Sequence, residues 1–329
     1  MIRYFNSGYF SRTLTLFFIA ALLWLPAFLL PEKTIVPEHA APLYQLSLFL
    51  SGNNIYLLLS IAFALTIVSG LLVNQIATQF GFTTKIAQLG TLVYYLFSAA
   101  LVSYTTMSAA VLTNFLMLFF LYFLFKVSEA KEPIPLAFNT SFILGIAALF
   151  YLPALLFILL LWVALMVFRV SQWRSYAVSL VGFLLPFVFA FTWYFWNDQT
   201  HEAWSLLLFS LEFHLPEAAN YSLSDFGMAI ILLLFIVVAL IKTNNSLMEK
   251  NINIRHILRI TMYYLAFAFV LVLFFSDSSS AGLLLSIPAS LLLASVFSES
   301  KNTKWFERAL RLLLLLIIIN QYTGFFYAA

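Results

Sequence analysis

Cysteine is absent from all 329 residues. There can therefore be no disulfide, no thiolate zinc site, no iron–sulfur cluster and no thiol nucleophile. Charge is almost as scarce, since Asp, Glu, Lys and Arg make up only 9% of the chain, where soluble domains carry about 25%. Glycine occurs ten times and never in a phosphate-binding pattern, so there is no Walker A loop, no dinucleotide fingerprint and no nucleophile elbow with partner residues. The net charge of +3 is too small to suggest nucleic acid as a partner.

Apolar sequence fills the space that charge leaves. Hydrophobic residues are 64% of the chain and the mean hydropathy is +1.01. Runs of 15 to 20 apolar residues recur from end to end, more than a soluble core can absorb. They are continuous rather than alternating, which excludes an outer-membrane β-barrel. The expected fold is all-α: a polytopic transmembrane helical bundle of about 11 helices forming one domain over residues 1–329.

Taken in order, the first helix runs from about Thr13 to Leu30; no small-residue cleavage site follows it, so it reads as a retained helix and not a signal peptide. Further spans are expected near Ile55–Val73, Leu89–Val102, up to Phe125, Tyr176–Trp196, Phe226–Ile241, Ile260–Phe275, Ala281–Phe297 and from Ala309. The apolar stretch Leu136–Phe168 is 33 residues long, which is about 50 Å as one helix against a bilayer core of about 30 Å. It is either one long helix or two short ones meeting at Tyr151-Leu152-Pro153. Charge decides between them. With a hairpin, 15 of the 16 Lys and Arg residues fall on the side of the N-terminus and only Lys33 lies opposite; with one helix the split is five against 11. The positive-inside rule selects the hairpin, a cytoplasmic N-terminus and an external C-terminus. The external loops are then about 31–54 and 197–225.

Those loops gather acids. Asn197 to Asp225 holds five of the 13 acids and two of the four His with no Lys or Arg. With Glu32, Glu38, His39 and Asp277, the external face carries eight acids and three His. Such a surface can hold a divalent cation or supply a general base; it is also what wet loops depleted of Lys and Arg contain anyway. His201-Glu202 begins like a zincin helix, but Ser205 stands where the second His belongs. The segment HEAWSLLLFSLEFHL reads as an amphipathic helix lying on the membrane, its apolar stripe formed by Trp204, Leu207, Leu208 and Leu211. Within the spans, ionisable groups are nearly missing, which argues against ion-coupled transport. Asn114, Asn139, Asn320 and Gln321 stand out there and are expected to tie helices together.

The run PIPLAFNTSFILGIAALFYLPALLFILLLWVALMVFRVSQW and the opening IRYFNSGYF resemble an uncharacterised family of bacterial polytopic inner-membrane proteins. That resemblance implies a multi-pass location in the bacterial inner membrane and brings no activity with it. A looser likeness is one of topology: an acidic loop directly after the first helix, short paired helices and a second large external loop resemble the membrane module of GT-C-type glycosyltransferases, which use polyprenyl-phosphate-linked sugars. In that superfamily an acid of the first external loop acts as base or metal ligand. The matching positions are Glu32 and Glu38, of which Glu38, beside His39, is the better placed. The implied site has Glu38 and His39 as catalytic groups and Asp198, His201 and Glu202 as ligands of a divalent cation such as Mg or Mn. The implied partners are membrane lipid and a polyprenyl-phosphate-linked glycan. The loop lacks a paired-acid motif, the chain has no periplasmic domain, and Lys33 is the one external cation available to grip pyrophosphate. The alternatives are a noncatalytic subunit of an assembly with other envelope proteins and, against the uncharged interior, a lipid or small-solute transporter.

Overall fold

Long apolar stretches without breakers have one means of satisfying their backbone in lipid, which is to form helices. A computed structural model of the chain describes residues 10–31, 41–52, 54–83, 88–211, 223–274, 279–299 and 303–328. Thirteen α-helices lie among them: α1 Phe10–Leu29, α2 Pro42–Leu50, α3 Ile55–Gln79, α4 Leu89–Ser98, α5 Ala109–Val127, α6 Pro133–Phe150, α7 Phe157–Val167, α8 Trp173–Trp196, α9 Thr200–Leu211, α10 Leu223–Ser246, α11 Ile252–Phe274, α12 Ser286–Glu299 and α13 Thr303–Ala328. No strand occurs among the described residues. Eight helical segments are long and apolar enough to cross a membrane, and α4 and the 152–167 segment are shorter apolar pieces. The chain is an integral, multi-pass membrane protein.

The 136–168 stretch breaks where its length and Pro153 predict. Helix α6 ends at Phe150, a 3-10 turn covers Leu152–Leu156, and α7 follows. The packing of α6 on α8 shows that the chain reverses there. Gly145 faces the Phe183 carbonyl and Pro186, whereas Gly182 faces Phe138 and Ser141. Both residue numbers rise together, so α6 and α8 are parallel, and the segment between them must return from one end of the bundle to the other. The indole N–H of Trp162 in α7 donates to Ser179 Oγ at 3.1 Å on that return leg. Each glycine removes a side chain at the crossing, which lets two backbones approach as small residues do in lipid.

Helices α4 and α12 form the centre. Every residue of α4 is buried, and 89% of the span ending in α12 is buried, against 17% for α8 and 22% for α10. The α12 sequence explains this placement, because Ala289, Ser290, Ala294 and Ser295 are fully or almost fully enclosed and admit neighbours closely. Peripheral helices keep large side chains on their outer face, among them Val181, Phe189 and Trp193 of α8 and Ile230 and Leu234 of α10, as a lipid-facing surface requires.

Several helices outlast their apolar cores. Helix α3 continues to Gln79. Helix α10 runs on to Ser246, and α11 begins at Ile252, so most of the expected basic loop after Ile241 is helical. No Pro or Gly lies between Gly227 and Gly282 to stop them. The remaining turn is tied by Arg255, whose Nε donates to the Leu247 carbonyl at 3.0 Å and whose Nη2 donates to those of Met248 and Lys250 at 3.2 Å each.

Candidate functional site at the acid-bearing end

The end of the bundle opposite Arg255 carries the acids that the sequence singles out. Helix α8 stops at Asn197 in a cap that needs one left-handed residue. Gln199 N–H donates to the Tyr194 carbonyl at 2.9 Å and Asp198 N–H to that of Phe195 at 3.2 Å. Asp198, with φ of 56°, fills the position that glycine usually occupies. Its side chain is exposed, as is that of His201, three residues on in the first turn of α9.

Helix α9 forms as the amphipathic pattern predicts, and a residue outside the expected membrane-facing stripe is buried against protein. Leu206 is buried, whereas Trp204 and Leu208 point outward; Trp204 packs edge-on to Phe191 with centroids 6.3 Å apart. Apolar periodicity finds the helix without distinguishing a protein neighbour from lipid. Leu206 joins Tyr194, Leu152 and Ala41 in a small buried cluster with Phe187 beside it. Three segments remote in sequence thereby meet: the α8–α9 corner, the 3-10 turn after α6, and the residue just before α2. Helix α2 is fixed in turn by Tyr44, whose hydroxyl donates to the Met107 carbonyl at 3.1 Å. Burial pushes the Tyr44 phenol up to about 12, so it remains a donor at any physiological pH.

Of the expected site residues, Asp198 and His201 therefore sit near one another beside this junction. Glu202 lies in α9 with its side chain outside the described residues, and Glu38 and His39 also lie outside them. Among the described residues no group of three His, Asp or Glu side chains is placed to hold a metal ion. Asp198 and His201 alone offer two ligands, too few to define a hard-cation site. Asp225 is occupied otherwise, accepting from Asn320 Nδ2 at 3.1 Å.

Below this surface lies a polar centre of which the sequence shows only part. Asn114 Nδ2 donates to Tyr94 Oη at 2.9 Å and to Ser286 Oγ at 3.2 Å, joining α5, α4 and α12. Asn114 Oδ1 and the Tyr264 hydroxyl on α11 are buried without hydrogen-bond partners among the described residues. Tyr94, Tyr264 and Ser286 carried no signal in the sequence, because single hydroxyls in apolar runs are commonplace. Asn320 and Gln321 also behave as helix ties. Helix α4 ends at Ser98, well short of a full span; Gln321 Nε2 donates to the carbonyls of Ala99 at 2.8 Å and Leu101 at 3.1 Å, the latter also accepting from Tyr104 N–H, and Asn320 Nδ2 to that of Ala100 at 3.1 Å. Asn139 departs from this expectation, for it is exposed on the outer face of α6.

Comparisons with protein-family models, with characterised proteins and with solved structures give no match to this chain.

Proposed function

We propose that this integral membrane protein is a GT-C-like transferase of the bacterial inner membrane, taking a sugar from a polyprenyl-phosphate carrier at its external face. One observation carries the reading: the packing of Ala41 against Leu206 and Tyr194. Glu38 precedes Ala41 by three residues, a length of chain that reaches at most about 11 Å. Asp198 follows Tyr194 by four, in the corner that the Gln199 N–H closes on the Tyr194 carbonyl. The end of the first acidic loop, at Ala41, and the start of the second thus meet at one junction, which supports a site shared between them.

In this reading Glu38 takes the proton from an acceptor hydroxyl as its oxygen bonds to the anomeric carbon. The bond from that carbon to the carrier's phosphate oxygen breaks, and the polyprenyl phosphate leaves with the electron pair. In this reading His39, the neighbour of Glu38 in sequence, orients or relays that proton. Asp198, His201 and Glu202 are the groups that would engage a divalent cation, and no step is derived through one.

The test is transfer of sugar from a synthetic polyprenyl-phosphate donor by protein in nanodiscs, comparing Glu38→Gln and Asp198→Gly. Glu38→Gln is expected to lose transfer at least 100-fold, by the scale of a removed general base, and Asp198→Gly to lose transfer through its missing carboxylate. Asp198→Gly keeps the left-handed corner, so loss there reports the carboxylate rather than the turn. Full function of both variants at normal abundance refutes the transferase and leaves the noncatalytic envelope subunit. Transport is the second reading, favoured by the breaks after α4, after α6 and before α12, because interrupted helices at membrane depth also mark carrier sites. Solute flux into proteoliposomes without sugar transfer would select it.

A further inference from the structure

At the basic end a cavity of about 700 Å³ opens between the starts of α6 and α8, lined by Lys131, Glu132, Pro133, Pro135, Trp173 and Arg174 among others. Lys131 and Arg174 are exposed, and neither has an ion pair or hydrogen bond among the described residues. Two cations facing one cavity with a single acid leave it net positive. The parallel packing of α6 and α8 also brings both helix N-termini to this cavity, and neither N-cap residue, Glu132 or Gln172, makes a side-chain capping bond. The positive ends of two helices add to the Lys and Arg charges, with free amide donors mainly at the start of α8, because Pro133 and Pro135 carry no N–H. Just inside α8, fully buried Ser175 has an Oγ without a hydrogen-bond partner.

Two further residues distinguish the ligand's source. Trp173 is 73% exposed at the rim, in the manner of indoles at the headgroup level of a bilayer. Asn139 stands four residues beyond Pro135, about 6 Å farther along α6 and on the same helix face. It is exposed within a candidate membrane span, with no hydrogen bond to another described residue. An amide facing hydrocarbon is costly unless a partner comes to it. One turn deeper than a phosphate is the depth of a phospholipid's ester carbonyls.

We infer that this cavity is a binding site for an acidic phospholipid, with the phosphate between Lys131 and Arg174 and an ester carbonyl accepting from Asn139. Free phosphate shares the first contact and not the second.

The experiment is native mass spectrometry of the full chain extracted into mixed micelles of phosphatidylglycerol and phosphatidylcholine. Preferential retention of phosphatidylglycerol is expected. The Lys131→Gln/Arg174→Gln pair should lower that retention about tenfold or more, the scale of two basic contacts to an anionic headgroup. Asn139→Leu should lower it several-fold while leaving the headgroup preference intact. All three positions are exposed, and an unchanged melting temperature separates lost binding from lost fold. Equal retention of the two lipids, or retention unaffected by the double variant, overturns the proposal. Displacement of the lipid by millimolar inorganic phosphate together with an Asn139→Leu variant that behaves as wild type overturns the lipid assignment in favour of a free anion.

Discussion

Replacing Gln321 with Leu tests whether the shortened α4 depends on a helix more than 200 residues away in sequence. Helix α4 ends at Ser98 and the chain does not resume α-helix until Ala109, with a 3-10 turn at Val102–Thr105 between; that turn supplies Tyr104 N–H to the Leu101 carbonyl at 3.1 Å and leaves those of Ala99 and Ala100 to α13. Gln321 donates to the Ala99 carbonyl at 2.8 Å and to that of Leu101 at 3.1 Å, from a side chain that is itself buried. Leaving a buried acceptor unpaired costs about 1–3 kcal/mol. Interhelical hydrogen bonds in lipid average nearer 0.6 kcal/mol, because the unfolded chain in the membrane also finds partners. Here the second estimate applies less well, since Leu removes the donor and leaves the Ala99 carbonyl in the folded state without it, while that of Leu101 keeps Tyr104 N–H. The expected loss is about 1–2 kcal/mol, between the two limits. The assay is reversible unfolding in mixed micelles, monitored by Trp fluorescence, with Gln321→Glu as a companion that keeps volume but offers no amide donor. Both variants should be destabilised alike. A Leu variant within about 0.5 kcal/mol of wild type, the spread of ordinary surface substitutions, would refute the view that these bonds hold the break.

Gly182→Leu should separate α6 from α8, because even a Cβ at Gly182 meets the Phe138 carbonyl at 2.8 Å; destabilisation of at least about 1–3 kcal/mol, typical of overpacking, is expected in the same unfolding assay. Gly145→Ala should act in the same direction, since its Cβ would lie 2.5 Å from the Phe183 carbonyl. Arg255→Gln loses a charged donor to three carbonyls and should cost about 1–3 kcal/mol, with Arg255→Lys recovering little because one ammonium cannot span all three. The absence of native cysteine makes topology directly measurable: single cysteines at Gln199 and Asn251 should react with a membrane-impermeant maleimide in intact cells and only after lysis, respectively. The reverse pattern would invert the assigned sidedness and move the acidic face to the cytoplasm.

The membrane class and the helix positions were legible because each rests on local composition. The Pro153 reversal was legible for a stronger reason: length, a breaker and the distribution of charge all demanded it, and the parallel packing of Gly145 and Gly182 bears it out. Other features depend on which neighbour a side chain meets. Periodicity marked Trp204 and Leu208 as an apolar stripe, yet Leu206 is the residue that packs inward, since lipid and protein attract apolar side chains alike. For the same reason Asn114 and Asn139 looked equivalent in sequence, although one ties three helices and the other faces outward. The sequence places the end of α4 at Val102, four residues late, because Ala99 to Val102 are as apolar as the helix before them. Its stabilising partners come from α13, and one residue of the pair, Asn320, also takes up Asp225 from the acidic stretch.

Asp198 is the point at which local physics and the proposed function pull apart. Its φ of 56° is one that an ordinary L-residue adopts at a cost of about 1–2 kcal/mol, less for Asp, and glycine without penalty. An anion is also disfavoured at the C-terminal end of α8, although the start of α9 two residues later offsets part of that. Arg169 makes an informative contrast. It holds the same left-handed position after α7, with φ of 58° and the same pair of capping bonds, Val170 N–H to Leu165 and Arg169 N–H to Met166. There a cation meets the negative end of a helix, so the electrostatics reward the residue that the backbone penalises. At Asp198 no comparable local reward is visible: its carboxylate is exposed at a corner where glycine or asparagine would close the turn as well. What distinguishes the position is its neighbourhood, one helical turn beyond Tyr194 and beside the cluster that anchors the end of the first acidic loop. Asp198→Asn, which keeps the turn chemistry and discards the charge, therefore isolates the single property that local structure does not explain.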